Sequence, residues 1–170
     1  MPIDSNERGE AKPLKRHFTA TAFVVHRQRI LLHWHPKVQA WLPPGGHIDD
    51  NEDPVQAVLR EVKEETGVRA QVVPTNPVFQ LDYPTQVTPP FNIMVEDIHD
   101  PVDGYHQHID MIYFCRLAGS LGPLNDGWIW VGKDDLAGAV PLGKENNPGV
   151  PPPDDVRLLG LRAIELVESS

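Results

Sequence analysis

An α/β fold is what this 170-residue sequence predicts. Three observations carry the expectation. Two strand-like runs, 17–25 (HFTATAFVV) and 29–34 (RILLHW), precede a short helical pattern at 54–66. Further runs rich in β-branched and aromatic residues follow it, and a second amphipathic helix closes the chain at 154–167.

The elements can be justified in order. His26, Arg27 and Gln28 turn the first run into the second. Trp41, Leu42, Pro43 and Pro44 make a stiff approach to Gly45 and Gly46, two residues free of the restraint a β-carbon imposes. Asp53 is a good N-cap, Pro54 suits the first helical position, and Gln56 stands where a capping box needs it. Gly67 is a good stop, so the helix spans 54–66. At about 100° per residue, Val55, Leu59, Val62 and Thr66 form the stripe expected to be buried. Residues 70–73, 78–81, 91–95 and 109–117 have strand character, 128–131 is a short strand, and 133–137 a helical turn. In the terminal helix Val156, Leu159, Ala163 and Val167 form the apolar stripe, with Leu158, Leu161, Ile164 and Leu166 nearby.

Length makes one domain the default, here 15–170, behind a polar and flexible N-terminal arm at 1–14. The arm has no apolar core of a secretory signal, and no run approaches the roughly 20 apolar residues of a membrane span. Net charge is −9 and no run of five basic residues occurs, which speaks against tight binding of duplex nucleic acid. Cys115 is the lone cysteine, as expected in a reducing cytoplasm. The 18 prolines cluster at 43–44, 74–90 and 151–153 and read as ordered loops.

Chemistry concentrates on the first helix. Glu61, Glu64 and Glu65 fall within about 100° of one another, away from the apolar stripe. Ala57 lies one turn before Glu61, and its small side chain is expected to leave room for a ligand. Acidic residues on a helix are usually a solvated face. Here Glu61 and Glu65 are like charges at i, i+4, near the C-terminus, where the helix dipole disfavours anions. Arg60 offsets part of this through Glu64. Two local rules broken together mark a functional site, and a hard divalent cation with oxygen ligands resolves the conflict.

The whole stretch 46–68, GHIDDNEDPVQAVLREVKEETGV, reads G-x5-E-x7-R-E-V-x-E-E-x-G-V. It resembles the Nudix box at all nine defining positions, a far more specific match than a lone glycine motif. Resemblance to the Nudix hydrolase family implies an α/β/α sandwich on a mixed sheet. It also implies hydrolysis, dependent on Mg2+ with Mn2+ able to substitute, of a diphosphate bond in a nucleoside diphosphate linked to another group. By the same resemblance Glu64 and Glu65 match the principal metal ligands and Glu61 a ligand or general base. Arg60 matches the residue that orients a box glutamate. Glu61, Arg60 and Glu64 are thus the catalytic candidates. Glu52 matches the supporting first glutamate, and Gly46, with Gly45 before it, brings backbone close to the metal; for Gly45 a plain turn residue is the equal alternative. A second reading is a ligand-binding or regulatory module on the same fold, and a third is an isomerase; the complete carboxylate set argues against both.

Residues outside the box select the attached group. Trp34, Trp41, Tyr83, Phe91, Tyr105 and Tyr113 are candidates to stack on a base, although most aromatics are core residues. His106, His108 and Asp110 alternate and share one strand face, as do His33 and His35, and His47 follows Gly46. The plain reading is surface or hydrogen-bonded strand residues. The functional one gives His106, His108, His47 and Trp41 to the substrate pocket, or lets the two histidine pairs hold a softer metal such as zinc.

Overall fold

β1 (Arg16–Val25) and β7 (Gly104–Ala118) form the spine of the structure, running parallel and paired from Arg16 opposite Gln107 to Val25 opposite Arg116. The computed structural model describes residues 14–143 and 149–170. The flexible arm expected at 1–14 lies outside them, apart from exposed Leu14.

Around the spine the chain builds one mixed eight-stranded sheet. β2 (Arg29–His35) follows β1 through a two-residue turn in which Arg27 and Gln28 both have positive φ, and His26 and Arg29 exchange backbone bonds of 3.0 and 3.2 Å. That is the tight hairpin turn whose twist suits antiparallel strands. β3 (Ala40–Leu42) and β8 (Trp128–Gly132) pair with β2. β4 (Gly45–His47) pairs with β1. β5 (Arg69–Val72) and β6 (Asn92–Asp100) pair antiparallel with the two halves of β7.

Helices cover both faces, as an α/β/α sandwich requires. Ala20, Ala22, Val24, Tyr113 and Cys115 pack against Ala57, Val58 and Val62 of α1 (Pro54–Thr66). On the other face Phe23, Val25, Ile112 and Phe114 meet Leu136 of α2 (Lys133–Ala137) and Val156, Ala163, Ile164 and Val167 of α3 (Asp154–Glu168). Gly160 allows α3 to approach β2 closely, since a β-carbon there would stand 2.6 Å from Ile30 Cδ1. Among the described residues no helix is long and apolar enough to cross a membrane. Cys115 is buried and free, and burial pushes its thiol up to about 12, so it is inert.

Several expectations need correction. Residues 78–81 form no strand: Val78, Phe79 and Leu81 are exposed, and the Phe79 N–H donates to Gln86 Oε1 at 2.8 Å instead of to a ladder. Prolines 74, 77, 84, 89 and 90 around the segment deny it partners. The buried stripe of α1 is rotated from the expected one. Ala57 and Val58 are fully buried beside Val62 and Thr66, while Val55 and Leu59 are only partly covered. Ala57 therefore packs on the sheet and leaves no space for a ligand.

Candidate active site

Local chemistry fixes α1 at both ends. Asp53 Oδ1 accepts from the N–H groups of Val55 and Gln56 at 2.9 Å each, and the Gln56 side chain accepts from Asp53 N–H at 2.9 Å. Gly67 stops the helix with φ 81°. Asn125, which sequence reasoning did not single out, also clamps this end. Its side-chain nitrogen donates to the carbonyls of Glu64 and Glu65 at 3.1 and 2.9 Å, and its N–H to Thr66 O at 3.0 Å. No local signal marks it, because its partners lie about 60 residues earlier.

Arg60 is the electrostatic hub. It grips Glu52 with two bonds, Nε to Oε1 at 2.8 Å and Nη2 to Oε2 at 2.9 Å. Nη1 reaches Glu61 Oε1 at 2.7 Å and Glu64 Oε2 at 3.4 Å, and Nη2 donates to His47 O at 3.1 Å. Its chief partners are thus Glu52 and Glu61, with the anticipated Glu64 contact the longest of the set. Hydrogen bonding to Arg60 holds the Glu52 carboxyl below the usual range, and the same bonds raise Arg60 further. Forked pairs of this kind fix orientation as well as add energy.

The two glycines bring β4 against the helix. A β-carbon on Gly46 would collide with the Glu61 carboxylate. One on Gly45 would stand 2.7 Å from Ala20 O and from Thr21 Oγ1. With no side chain between them, the Gly45 N–H donates to Glu65 Oε2 at 3.1 Å. Burial pushes Glu65 up to about 7, with Glu61 and Glu64 adding repulsion and the Gly45 bond pulling the other way. Burial thus disfavours the charged form of Glu65 first, and the neighbouring carboxylates add to that.

That donor set fits a hard divalent cation: three carboxylates on one helix turn, close backbone, and a charge deficit. Among the described residues no three donors already converge on one point. Arg60 holds Glu61 in their place, so a cation has to compete with a 2.7 Å ion pair.

The substrate candidates lie elsewhere. Alternation along β1 and β4 puts Gly46, opposite Ala20, on the α1 face, and His47, opposite Thr19, on the α3 face. His106, His108 and Asp110 share that second face, as their spacing predicts, and are joined there by His17. His33 and His35 stay apart on β2, where His33 lies against Trp128 with ring centres 4.4 Å apart, so the two pairs form no common site. Trp41 is a core residue, 1% exposed, with Nε1 donating to Leu142 O at 3.3 Å, and offers no face to a base. Tyr113 is likewise buried, and Phe91 stacks on Phe114. Tyr83 and Tyr105 are exposed.

A mixed sheet between helices, with a glutamate-bearing helix pressed on a Gly-Gly strand, defines an α/β protein organised around a carboxylate cluster. The model of the NUDIX domain matches residues 15–151, and the chain belongs to that family. It is similar to a NUDIX-family hydrolase from Clostridium perfringens at 27% identity and TM-score 0.67, over 91% of this chain and 99% of that one. A MutT protein from Bacillus halodurans shares the fold at 16% identity and TM-score 0.54, over 87% and 82% of the two chains. Shorter matches reach two curated proteins. One is the asymmetrical bis(5′-nucleosyl)-tetraphosphatase of Mus musculus, 42% identical over 41 residues (24% of this chain, 28% of that protein). The other is the 8-oxo-dGTP diphosphatase of Haemophilus influenzae, 39% identical over 54 residues (32% and 40%). The chain thus spans less than half the length of each of these two.

Proposed function

We propose that this chain is a hydrolase of a diphosphate bond in a nucleoside diphosphate linked to another group. Its cation, Mg2+ or Mn2+, would be held by Glu61, Glu64 and Glu65 together with the backbone of Gly46. The observation that carries the reading is geometric: Glu61, Glu64 and Glu65 share one helix turn served by the single guanidinium of Arg60, with the Gly45 N–H on Glu65 at 3.1 Å. Burial, and then the two neighbouring carboxylates, raise Glu65 to about 7. A bound divalent cation would supply screening of the phosphate oxygens and a water of lowered pKa.

The chain's own residues divide the remaining work. Arg60, anchored by Glu52, orients Glu61. Gly45 N–H sets the rotamer of Glu65. Glu64, the most solvent-accessible of the three, would be the first to meet an arriving ligand. Glu61 would hold the cation or take a proton from the attacking water. Among the relatives, the curated names refer to a dinucleoside tetraphosphate and to 8-oxo-dGTP, both of which carry phosphoanhydride bonds. A ligand-binding module without catalysis is disfavoured because each carboxylate of the set is present. The lone buried thiol is in keeping with a reducing compartment such as the cytoplasm.

The test is incubation of the chain with a panel of nucleoside diphosphate derivatives, with Mg2+ and with EDTA, products being resolved by chromatography. Cleavage of at least one member with Mg2+ alone supports the reading. Binding without turnover across the panel favours the module.

A further inference from the structure

His17, His47, His106 and His108 come together on the sheet face opposite α1, from three neighbouring strands. His17 of β1 lies directly across from His108 of β7. His106 is two residues before His108, and His47 stands opposite Thr19, two residues beyond His17. His106 and His47 therefore flank the central pair from opposite ends.

We propose that these four histidines form a second metal site, for a borderline divalent cation of the Zn2+, Co2+ or Ni2+ class, separate from the carboxylate cluster of α1.

Spacing is the first argument. With metal–nitrogen bonds of about 2.0–2.1 Å, two imidazoles on one tetrahedral ion have ring centres about 5 Å apart. The observed separations are 5.3 Å for His17–His47, 5.2 Å for His17–His106, 4.9 Å for His47–His108, 5.2 Å for His106–His108 and 6.1 Å for His17–His108. Ordinary ring packing covers the same range, as for His99 and Tyr105 at 5.1 Å, so the spacing is compatible with a shared ion, and it is the gathering of four imidazoles from three strands that favours one.

Two ring nitrogens supply the second argument. His106 Nδ1 lies 3.0 Å from Gly104 O, so it carries the proton and leaves Nε2 free to coordinate. A ligating imidazole is commonly held this way, by a carbonyl on its other nitrogen. His108 Nε2 is buried without a hydrogen-bond partner, an arrangement that costs free energy unless something else occupies the lone pair or the proton.

Charge is the third. Glu96 stands across the strand pair from His108, and buried Asp110 follows two residues on, held by Thr19 Oγ1 at 2.9 Å. Both carboxyls favour a dication nearby. Imidazole donors select borderline metals, whereas Mg2+ prefers the oxygens of α1, so the two sites differ in metal class. Among the described residues no three donors already converge. Closure therefore needs rotation of the rings, whose terminal torsions are broad.

The test is titration of the metal-stripped full chain with Co2+, followed by its visible absorption. The expected result is about one Co2+ per chain with the strong bands of a four-coordinate nitrogen site, displaced by Zn2+ and insensitive to excess Mg2+. The bands should persist in a Glu61→Gln/Glu64→Gln/Glu65→Gln variant and vanish in His17→Gln/His108→Gln. If that double variant loses its circular dichroism, His17→Gln and His106→Gln alone provide the reading. Each should weaken Co2+ binding by more than the roughly 10–100-fold cost of losing an outer-shell partner. Absence of the bands at millimolar Co2+ overturns the proposal, as does their survival in His17→Gln/His108→Gln or their loss in Glu61→Gln/Glu64→Gln/Glu65→Gln.

Discussion

Arg60 holds Glu52 through two parallel bonds of 2.8 and 2.9 Å, tying the middle of α1 to the loop that precedes it. The same guanidinium presents its remaining edge to Glu61 at 2.7 Å. A lysine has no fork and reaches one partner at a time. Arg60→Lys is expected to lower kcat about 10- to 100-fold with KM little changed, the usual scale for losing an orienting partner. Steady-state kinetics on whichever substrate the panel yields would check this; unchanged kcat would remove Arg60 from the machinery.

Gly46 and Gly45 should respond differently to alanine. At Gly46 the new methyl meets the Glu61 carboxylate, a movable side chain, so activity should fall while the melting temperature changes little. At Gly45 it meets backbone, Ala20 O at 2.7 Å and Thr21 Cα at 2.8 Å. Gly45→Ala should therefore cost about 1–3 kcal/mol of stability, the usual range for overpacking. Urea unfolding of both variants distinguishes them, and equal stability losses would contradict this division.

Asn125→Ala removes two side-chain bonds to the carbonyls of Glu64 and Glu65. At about 1 kcal/mol per bond, a stability loss of about 1–2 kcal/mol is expected. Amide exchange should quicken in the last turn of α1 and less elsewhere. Uniform quickening would mean that Asn125 supports the whole fold.

Asp110 gives a pH prediction. Burial raises its carboxyl above the ordinary 3.8, against the pull of the Thr21 and Thr19 hydroxyls and the Met111 N–H. The folded state then binds this proton more tightly than the unfolded chain. The stability it contributes is whole below the ordinary value and is lost as pH rises through the raised one. Asp110→Asn cannot titrate, so its melting temperature should gain on wild type as pH rises from the ordinary 3.8 through the raised value. A difference constant across that range would contradict the shift.

Legibility in the sequence followed locality. The bounds of α1 could be read because Asp53, Gln56 and Gly67 act within a few residues of where they stand. β4 could not, because Gly45 and Gly46 have no strand preference; they pair with β1 because their missing side chains allow close approach. The run at 78–81 looked like a strand by composition, yet Gln86 and the prolines around it supply no ladder. The carboxylates of the site were legible as a conflict of charges on one helix. The histidine quartet was legible only in part: spacing put His106 and His108 on one face, but His17 and His47 reach them through pairings about 60 to 90 residues distant.

The most direct test of the central claim is cleavage of the best substrate by wild type and Glu65→Gln, each with Mg2+ and with excess EDTA. Metal-borne charge stabilisation is worth several kcal/mol, so wild type with EDTA and Glu65→Gln with Mg2+ should both fall at least about 10²-fold below wild type with Mg2+. Circular dichroism should show both chains folded. Full activity of wild type in EDTA, or of Glu65→Gln in Mg2+, would contradict the account.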